Sequence, residues 1–246
     1  MFEIPITFKA HKSYIENNKD ILPIPAKLNI PEWFKKLEHS IELKTVKGCI
    51  PFLDGLTAGY ILKCPTDYFL EHNTISDGKK ICGFITPLER EELGKKINLN
   101  YHGEKQMHPT EQLKGSPLLE KNMNQPLHKI LNPWIIKTPP GYSCLFVPPI
   151  NNSDDRFSVI PAIVDTDNHK LEINFPIIIN GDKYKSLKTT IERGTPYVQI
   201  IPFKRQAWKM KIKPSDPQEK EEDVFFYRKK ILHTYKKFIW SKKDWK

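Results

Sequence analysis

The chain has 246 residues, of which 39% are hydrophobic and 28% charged, and a formal net charge of +10. That balance is ordinary for a folded chain of one large or two small domains, and no internal repeat or low-complexity tract interrupts it. No window approaches the roughly 18 uninterrupted apolar residues of a membrane-spanning helix, and Asn174 and Pro176 break the most apolar stretch.

The first residues, MFEIPITFKAHKSY, lack an apolar h-region and a small-residue cleavage site, so secretion is not expected. Cys49, Cys64, Cys82 and Cys144 stand far apart with no C-x-x-C pair. This spacing predicts reduced thiols in a cytoplasmic setting rather than a zinc site or a disulfide framework. Residues 204–246 carry 14 Lys/Arg against 6 Asp/Glu, a balance of +8, so most of the positive charge sits in the last segment. A basic tail is one route to nucleic acid or an acidic surface; a Lys-rich composition is the plainer explanation.

The 21 prolines argue against a helical protein. In chain order, residues 1–44 read as a Pro-punctuated N-terminal arm, with IPEWFKKLEH as a short amphipathic helix begun by Pro31. Short apolar runs bounded by Gly, Pro, Asn or Asp predict strands at 49–53, 58–62, 134–137, 143–147, 162–164, 171–179 and 197–203. Clean apolar/polar alternation in LEINF (171–175) predicts a strand with one buried and one wet face.

Residues 72–132 read as a long polar insertion, largely loop, with a capped helical turn in TPLEREEL, Thr86 capping and Glu89 three residues on. A helix is predicted over 215–243: Ser215 or Asp216 caps it, Pro217 suits its first position, acids crowd its start and lysines its end. Phe225, Leu232, Tyr235 and Ile239 fall along one face of it.

Chemistry has to be sought in the stretch AIVDTDNHKLEINFPIII (162–179), which sets two carboxylates between two apolar runs. Asp165 is the one catalytic candidate, since a carboxylate within about 2.6–3.2 Å of a water activates it. Asp and Asn also accept turn geometry and bond to their own backbone, so DTDN needs no catalysis to explain it. His102 and His108 lie on a loop-like stretch with Glu104 between them and lack a third ligand. No G-x-S-x-G, H-E-x-x-H, P-loop or G-x-G-x-x-G occurs. Trp134, the Pro139-Pro140-Gly141 corner and Tyr142 make a stiff aromatic segment suited to walling a pocket or a subunit seam. Near the C-terminus, aromatics interleave with Lys/Arg as in single-strand binders, although helical spacing points first to packing.

Four pieces, read in order, resemble the motifs of the dUTPase/dCTP-deaminase superfamily. TAGYILKCPTDY (57–68) is similar to its Ala-Gly-Tyr-Asp-Leu strand, and GYSCLFVPPIN (141–151) takes the place of its second motif. AIVDTDNHK (162–170) resembles its hairpin, and IERGTPYVQIIPF (191–203) its glutamine-bearing fourth strand. The resemblance covers about residues 50–205. It implies a mainly β fold, a dUTPase-like β-clip over 45–205 with 72–132 inserted and a basic helical tail over 206–246. It also implies a homo-oligomer, a trimer in that family, with Asp165 at the position of the water-orienting residue and Gln199 at that of the conserved glutamine.

The chain is also similar, through PIPAKLNIPEWF, CIPFLDGLTAGY, NPWIIKTPPGYSCLFVPPIN and GTPYVQIIPF, to a family of phage and bacterial proteins, a likeness that implies no activity.

Departures from the dUTPase pattern bear on the chemistry. Ile61 stands where the first motif has its Asp, and GYSCLF lacks the second motif's Arg-Ser pair. Thr195-Pro196 replaces Asp-Arg, Asn168 replaces the hairpin Tyr, and residues 204–246 hold no glycine to close over phosphates. The expectation is a ligand-binding relative without hydrolysis, its ligand a nucleotide or small molecule held near Tyr60, Trp134, Tyr142, Asn151, Asp165, Asp167 and Gln199. It holds no metal of its own, and magnesium enters only with a nucleotide. The alternatives are a virion or assembly component using the fold as an oligomer core, a nucleic-acid binder through residues 204–246, and, least favoured, an active hydrolase.

Overall fold

The computed structural model describes residues 3–40, 42–76, 79–85, 107–184, 186–218, 220–221, 224 and 235–246. The protein is mainly β, and the sheets among the described residues are all antiparallel. The strands are β1 (Thr7–Lys9), β2 (Ile24–Pro25), β3 (Tyr60–Lys63), β4 (Tyr68–Ser76), β5 (Lys79–Ile85), β6 (Met107–His108) and β7 (Leu127–Ile130). They continue with β8 (Ile135–Lys137), β9 (Tyr142–Val147), β10 (Phe157–Val159), β11 (Ala162–Val164), β12 (Phe175–Ile179), β13 (Ser186–Ile191) and β14 (Pro196–Lys204). Short helices are α1 (Lys12–Asn17), α2 (Glu32–Lys36), α3 (Ile50–Thr57) and α4 (Pro117–Lys121).

The central sheet has the order β11-β9-β14-β3-β2, so the four quoted motif segments supply four adjacent strands of one sheet. Its middle strand, β14, is buried on both faces: Tyr197, Val198, Gln199 and Ile200 are each 2% exposed or less. A continuous buried run of this kind marks an inner strand, whereas alternation marks a half-wet one. β13 shows the latter pattern, with Ser186, Lys188 and Thr190 exposed at the edge of the sheet β13-β4-β5.

A third sheet, β10-β12-β7-β6, packs on the central one through rings: Phe146 of β9 lies 5.4 Å from Phe175 of β12, and Phe175 5.6 Å from Tyr197 of β14. Burying each such side chain contributes about 1.5–3 kcal/mol. Crossing of β3 and β14 is tight at Gly59, whose φ is +67° and where an added Cβ would lie 1.9 Å from the Ile200 carbonyl oxygen. Only glycine meets both conditions.

Several expectations are met closely. α2 begins after Pro31, β11 spans Ala162–Val164, β9 starts one residue before the expected strand, and β14 is one residue longer than expected at each end. Others are corrected. Residues 50–57, expected to begin with a strand at 49–53, form α3, because Pro51 suits a first turn and Ile50, Leu53 and Leu56 recur at helical spacing. The alternating LEIN stretch is not a strand: β12 starts only at Phe175, and Leu171 is 67% exposed.

Much of the expected insertion is structured. β4 and β5 form a hairpin, and β7 is an inner strand whose Ile130 is fully buried. The Thr86–Glu89 turn, His102 and Glu104 lie outside the described residues, and His108 belongs to β6. Of the predicted 215–243 helix, Phe225 and Leu232 lie outside the described residues. Asp216 accepts a hydrogen bond from the Gln218 amide as a cap, Tyr235–Ile239 is a π-helical turn, and residues 240–246 are not helical. No helix among the described residues is long and apolar enough to cross a membrane.

Candidate functional site

The sequence-predicted residues divide between a cleft, a polar knot and the packed interior. Tyr60 and Tyr142 border a cleft of about 850 Å³. One wall is the corner between β8 and β9, with Thr138, Pro139 and Tyr142; Pro202 of β14 lies at the base. Glu3, Ile4, Pro5 and Ile6 form another wall, and Asp244, Trp245 and Lys246 close the remaining side.

The corner is shaped by its sequence. Pro140 and Gly141 occupy the central positions of a turn in which the Tyr142 amide donates to the Pro139 carbonyl at 3.2 Å, and Gly141 has φ +85°. Proline followed by a left-handed glycine is the type II pattern. Opposite, the Tyr60 hydroxyl donates to the Lys246 carbonyl at 3.1 Å, and the Trp245 ring meets the Tyr60 ring edge-on at 6.2 Å. Burial raises the Tyr60 pKa, so it stays a neutral donor at physiological pH.

The end of the chain is tied down at several points. Trp240 Nε1 donates to both carboxylate oxygens of Asp54, at 3.1 and 3.0 Å, and Lys243 reaches Asp54 at 2.7 Å. Lys27 pairs with Asp244 at 2.8 Å and Lys246 with Glu3. The Lys27–Asp244 and Lys246–Glu3 pairs are exposed and individually weak, whereas the Asp54 side chain is only 21% exposed. Their number, rather than any one of them, holds Trp245 over the cleft.

Behind the corner lies the polar knot that holds Asp165 and Asp167. The Ser143 hydroxyl donates to Asp165 Oδ1 at 2.6 Å, and Arg205 Nη1 lies 3.2 Å from the same oxygen. Arg205 also grips Asp167 through both guanidinium nitrogens, and the Gly141 amide donates to Asp167 Oδ2 at 2.9 Å. The Arg205 guanidinium, with help from that amide, holds the Asp167 carboxyl down at about pKa 2. Thr138 and Thr166 share a 2.7 Å hydrogen bond beside it. These contacts fix the corner that carries Pro139 and Tyr142 and account for both acids. Asp165 does not line the cleft, and its carboxylate is already engaged by a hydroxyl and a guanidinium.

The remaining predicted residues sit apart from the cleft. Gln199 is buried and fully used: Oε1 accepts from the Ile150 amide at 2.8 Å, and Nε2 donates to the Gly55 and Ala58 carbonyls at 2.9 and 2.6 Å. It ties α3 and the 147–151 turn to β14 and leaves no donor for a ligand. Asn151 adopts φ +58° in that turn and donates to the Phe52 carbonyl at 3.3 Å. Trp134 is 5% exposed and packs edge-on against Phe8 and Tyr14, inside the core rather than along a pocket wall.

Sequence reasoning missed Arg205, Ser143 and Trp245. Arg205 and Ser143 sit at strand ends with no motif to mark them, and Trp245 approaches a tyrosine whose hydroxyl bonds 186 residues along the chain. Among the described residues, no group of three or more His, Cys, Asp or Glu is placed to hold a metal ion. No family model, no curated protein and no solved structure matches this chain.

Proposed function

We propose that the chain is a non-catalytic binding module whose cleft takes a small planar or cyclic organic ligand of nucleoside size. The observation that carries this reading is the convergence of Tyr60, Tyr142 and Trp245 on one proline-walled cleft of about 850 Å³. Its volume lies within the range of small-molecule sites. Aromatic faces hold planar rings by stacking, and the Tyr60 hydroxyl and the backbone beside it offer polar contacts at the rim.

Charge argues against a triphosphate. Among the described residues lining the cleft, Lys246 is the one cation, and Glu3 neutralises it. Hydrolysis is disfavoured because Asp165 is bound by Ser143 and Arg205 and stands off the cleft lining. That four dUTPase-like segments share one sheet supports descent from that superfamily with altered specificity, and a phage origin fits the second likeness.

Thermal-shift screening with nucleosides and with nucleotides, each with and without magnesium, tests the reading, because a ligand of the native state raises the melting temperature. A rise with nucleosides that disappears in both Tyr60→Ala and Tyr142→Ala is expected. A flat response at millimolar concentration across the panel would overturn the binding claim. Nucleotide turnover abolished in a folded Asp165→Asn variant would overturn the non-catalytic part.

A further inference from the structure

After Lys204 the central strand loses both of its neighbours. The ladder with β3 ends at the Ile200–Tyr60 pair and that with β9 at Lys204–Tyr142. Residues 205–216 nevertheless continue without helix, turn or bend, and all are exposed. Among the described residues the hydrogen bonds of this segment's start lie at its root: the Arg205 amide donates to the Gly141 carbonyl at 2.8 Å, and its guanidinium is held by Asp167.

Beyond that root the sequence WKMKIK alternates strictly. Trp208, Met210 and Ile212 are 88%, 82% and 87% exposed, while Lys209, Lys211 and Lys213 occupy the intervening positions. In an extended chain, period two puts the apolar residues on one side and the lysines on the other. Fully extended, residues 206–213 would make an amphipathic strand roughly 26 Å long, with no sheet partner among the described residues.

We infer that residues 206–213 are an assembly arm that adds as a strand to the sheet edge of a second copy of this chain. Strand addition satisfies the arm's backbone groups and buries its apolar row together. Three such side chains offer on the order of 450 Å² per arm. Reciprocal exchange, counting arm and acceptor, therefore reaches roughly the 1,600 Å² of a stable interface.

The acceptor is the outer edge of β11. Ile163 there is 64% exposed, the Asp165 carboxylate that follows the strand is 62% exposed although Arg205 lies 3.2 Å from it, and β11 pairs only with β9 among the described strands. A second arm presents its own lysines and repels the first, and the β13 edge adds Lys188, which Glu71 offsets only weakly at 3.8 Å on an exposed face. A single-stranded nucleic acid suits the arm less well, since Met210 and Ile212 offer no ring for base stacking.

The experiment is the solution mass of the full chain and of a Trp208→Ser/Met210→Ser/Ile212→Ser variant by sedimentation from 1 to 100 µM. A defined oligomer for the parent and, for the variant, a folded monomer whose melting temperature no longer rises with protein concentration are expected. A parent that stays monomeric at 100 µM, or a variant that keeps the parent's mass, would overturn the inference. So would a monomeric parent whose arm instead captures anionic phosphatidylserine vesicles or a single-stranded oligonucleotide. In a Cys49→Ser/Cys82→Ser background, which leaves only the buried Cys64 and Cys144, Ile163→Cys mixed with Met210→Cys should give a disulfide between the two variants. Links between Met210→Cys chains alone would contradict the assigned edge.

Discussion

Gln199 and Ile150 are joined by a 2.8 Å hydrogen bond from a backbone amide to a side-chain oxygen that is almost wholly buried. The same side chain bonds two carbonyls of α3 and its end, so one glutamine satisfies three backbone groups that no strand reaches. Gln199→Leu leaves all three unpaired in a dry setting. A loss of about 3 kcal/mol in stability is expected from urea denaturation. An unchanged denaturation midpoint would show that water replaces the side chain.

Gly59 gives a harsher test of the β3–β14 crossing. A methyl group there meets the Ile200 carbonyl oxygen at 1.9 Å and forces a left-handed alanine. Gly59→Ala is expected to cost at least about 2 kcal/mol, or to leave the chain insoluble. Gly141→Ala, with the same backbone sign but nothing within 4 Å of the new carbon, should cost less. The ranking of the two melting temperatures decides whether close approach, rather than φ alone, governs Gly59.

Acid sensitivity should come from His128 in β7, which is 9% exposed and whose pKa burial lowers from 6.5 to about 4. The folded state resists the proton that the unfolded state accepts. Stability is therefore complete above pH 6.5 and falls as pH drops toward 4, by about 3 kcal/mol at most. Denaturation midpoints measured between pH 7 and 4 should show this slope, and His128→Leu should flatten it.

Asp167 adds a second acid limb lower on the pH scale. Its folded pKa of about 2 lies below the ordinary 3.8, so its contribution is present above pH 3.8 and is lost as pH falls through 2. Asp167→Asn should reduce the pH dependence between 4 and 2, to which Asp20, Asp155 and Asp244, held below the usual carboxylate range by Arg193, Lys183 and Lys27, also contribute, while leaving the His128 limb intact. Were the two limbs to vanish together, the sites would be coupled through the fold rather than independent.

Asp54 should control access to the cleft. Asp54→Ala removes the acceptor of Trp240 and Lys243, which loosens the segment carrying Trp245. Faster tryptic cleavage after Lys242 and Lys243 is expected, with little change in global melting, since exposed ion pairs stabilise weakly. Equal cleavage rates would mean that Lys27 and Tyr60 hold the segment without Asp54.

Local chemistry made parts of the fold legible from sequence alone. Pro31 begins α2, the AIV run matches β11, and the buried run YVQII marks an inner strand. Failures arose where tertiary packing overrode pattern. LEIN alternates like a strand yet finds no partner, while CIPFLD reads as apolar enough for a strand but obeys the helical demand of Pro51. β7 was hidden because LHKI carries a histidine and a lysine that only the folded neighbours accommodate. Among the residues lining the cleft, Tyr60 and Tyr142 could be read from their strands. Gln199, Trp134 and Asn151 look like ligand groups by type, but their partners are backbone carbonyls, an amide and neighbouring rings. Trp245 required the whole chain to be folded before it stood near anything.

The placement of β14 sets an order on biosynthesis. This inner strand occupies residues 196–204, while its neighbours β3 and β9 lie at 60–63 and 142–147. A nascent chain emerging from the ribosome therefore carries two exposed flanks awaiting their filler until β14 has itself been synthesised. Such late closure of long loops is slow and invites misassociation in the interval. A truncation stopping before residue 196 should emerge as a chaperone client rather than as a smaller stable domain.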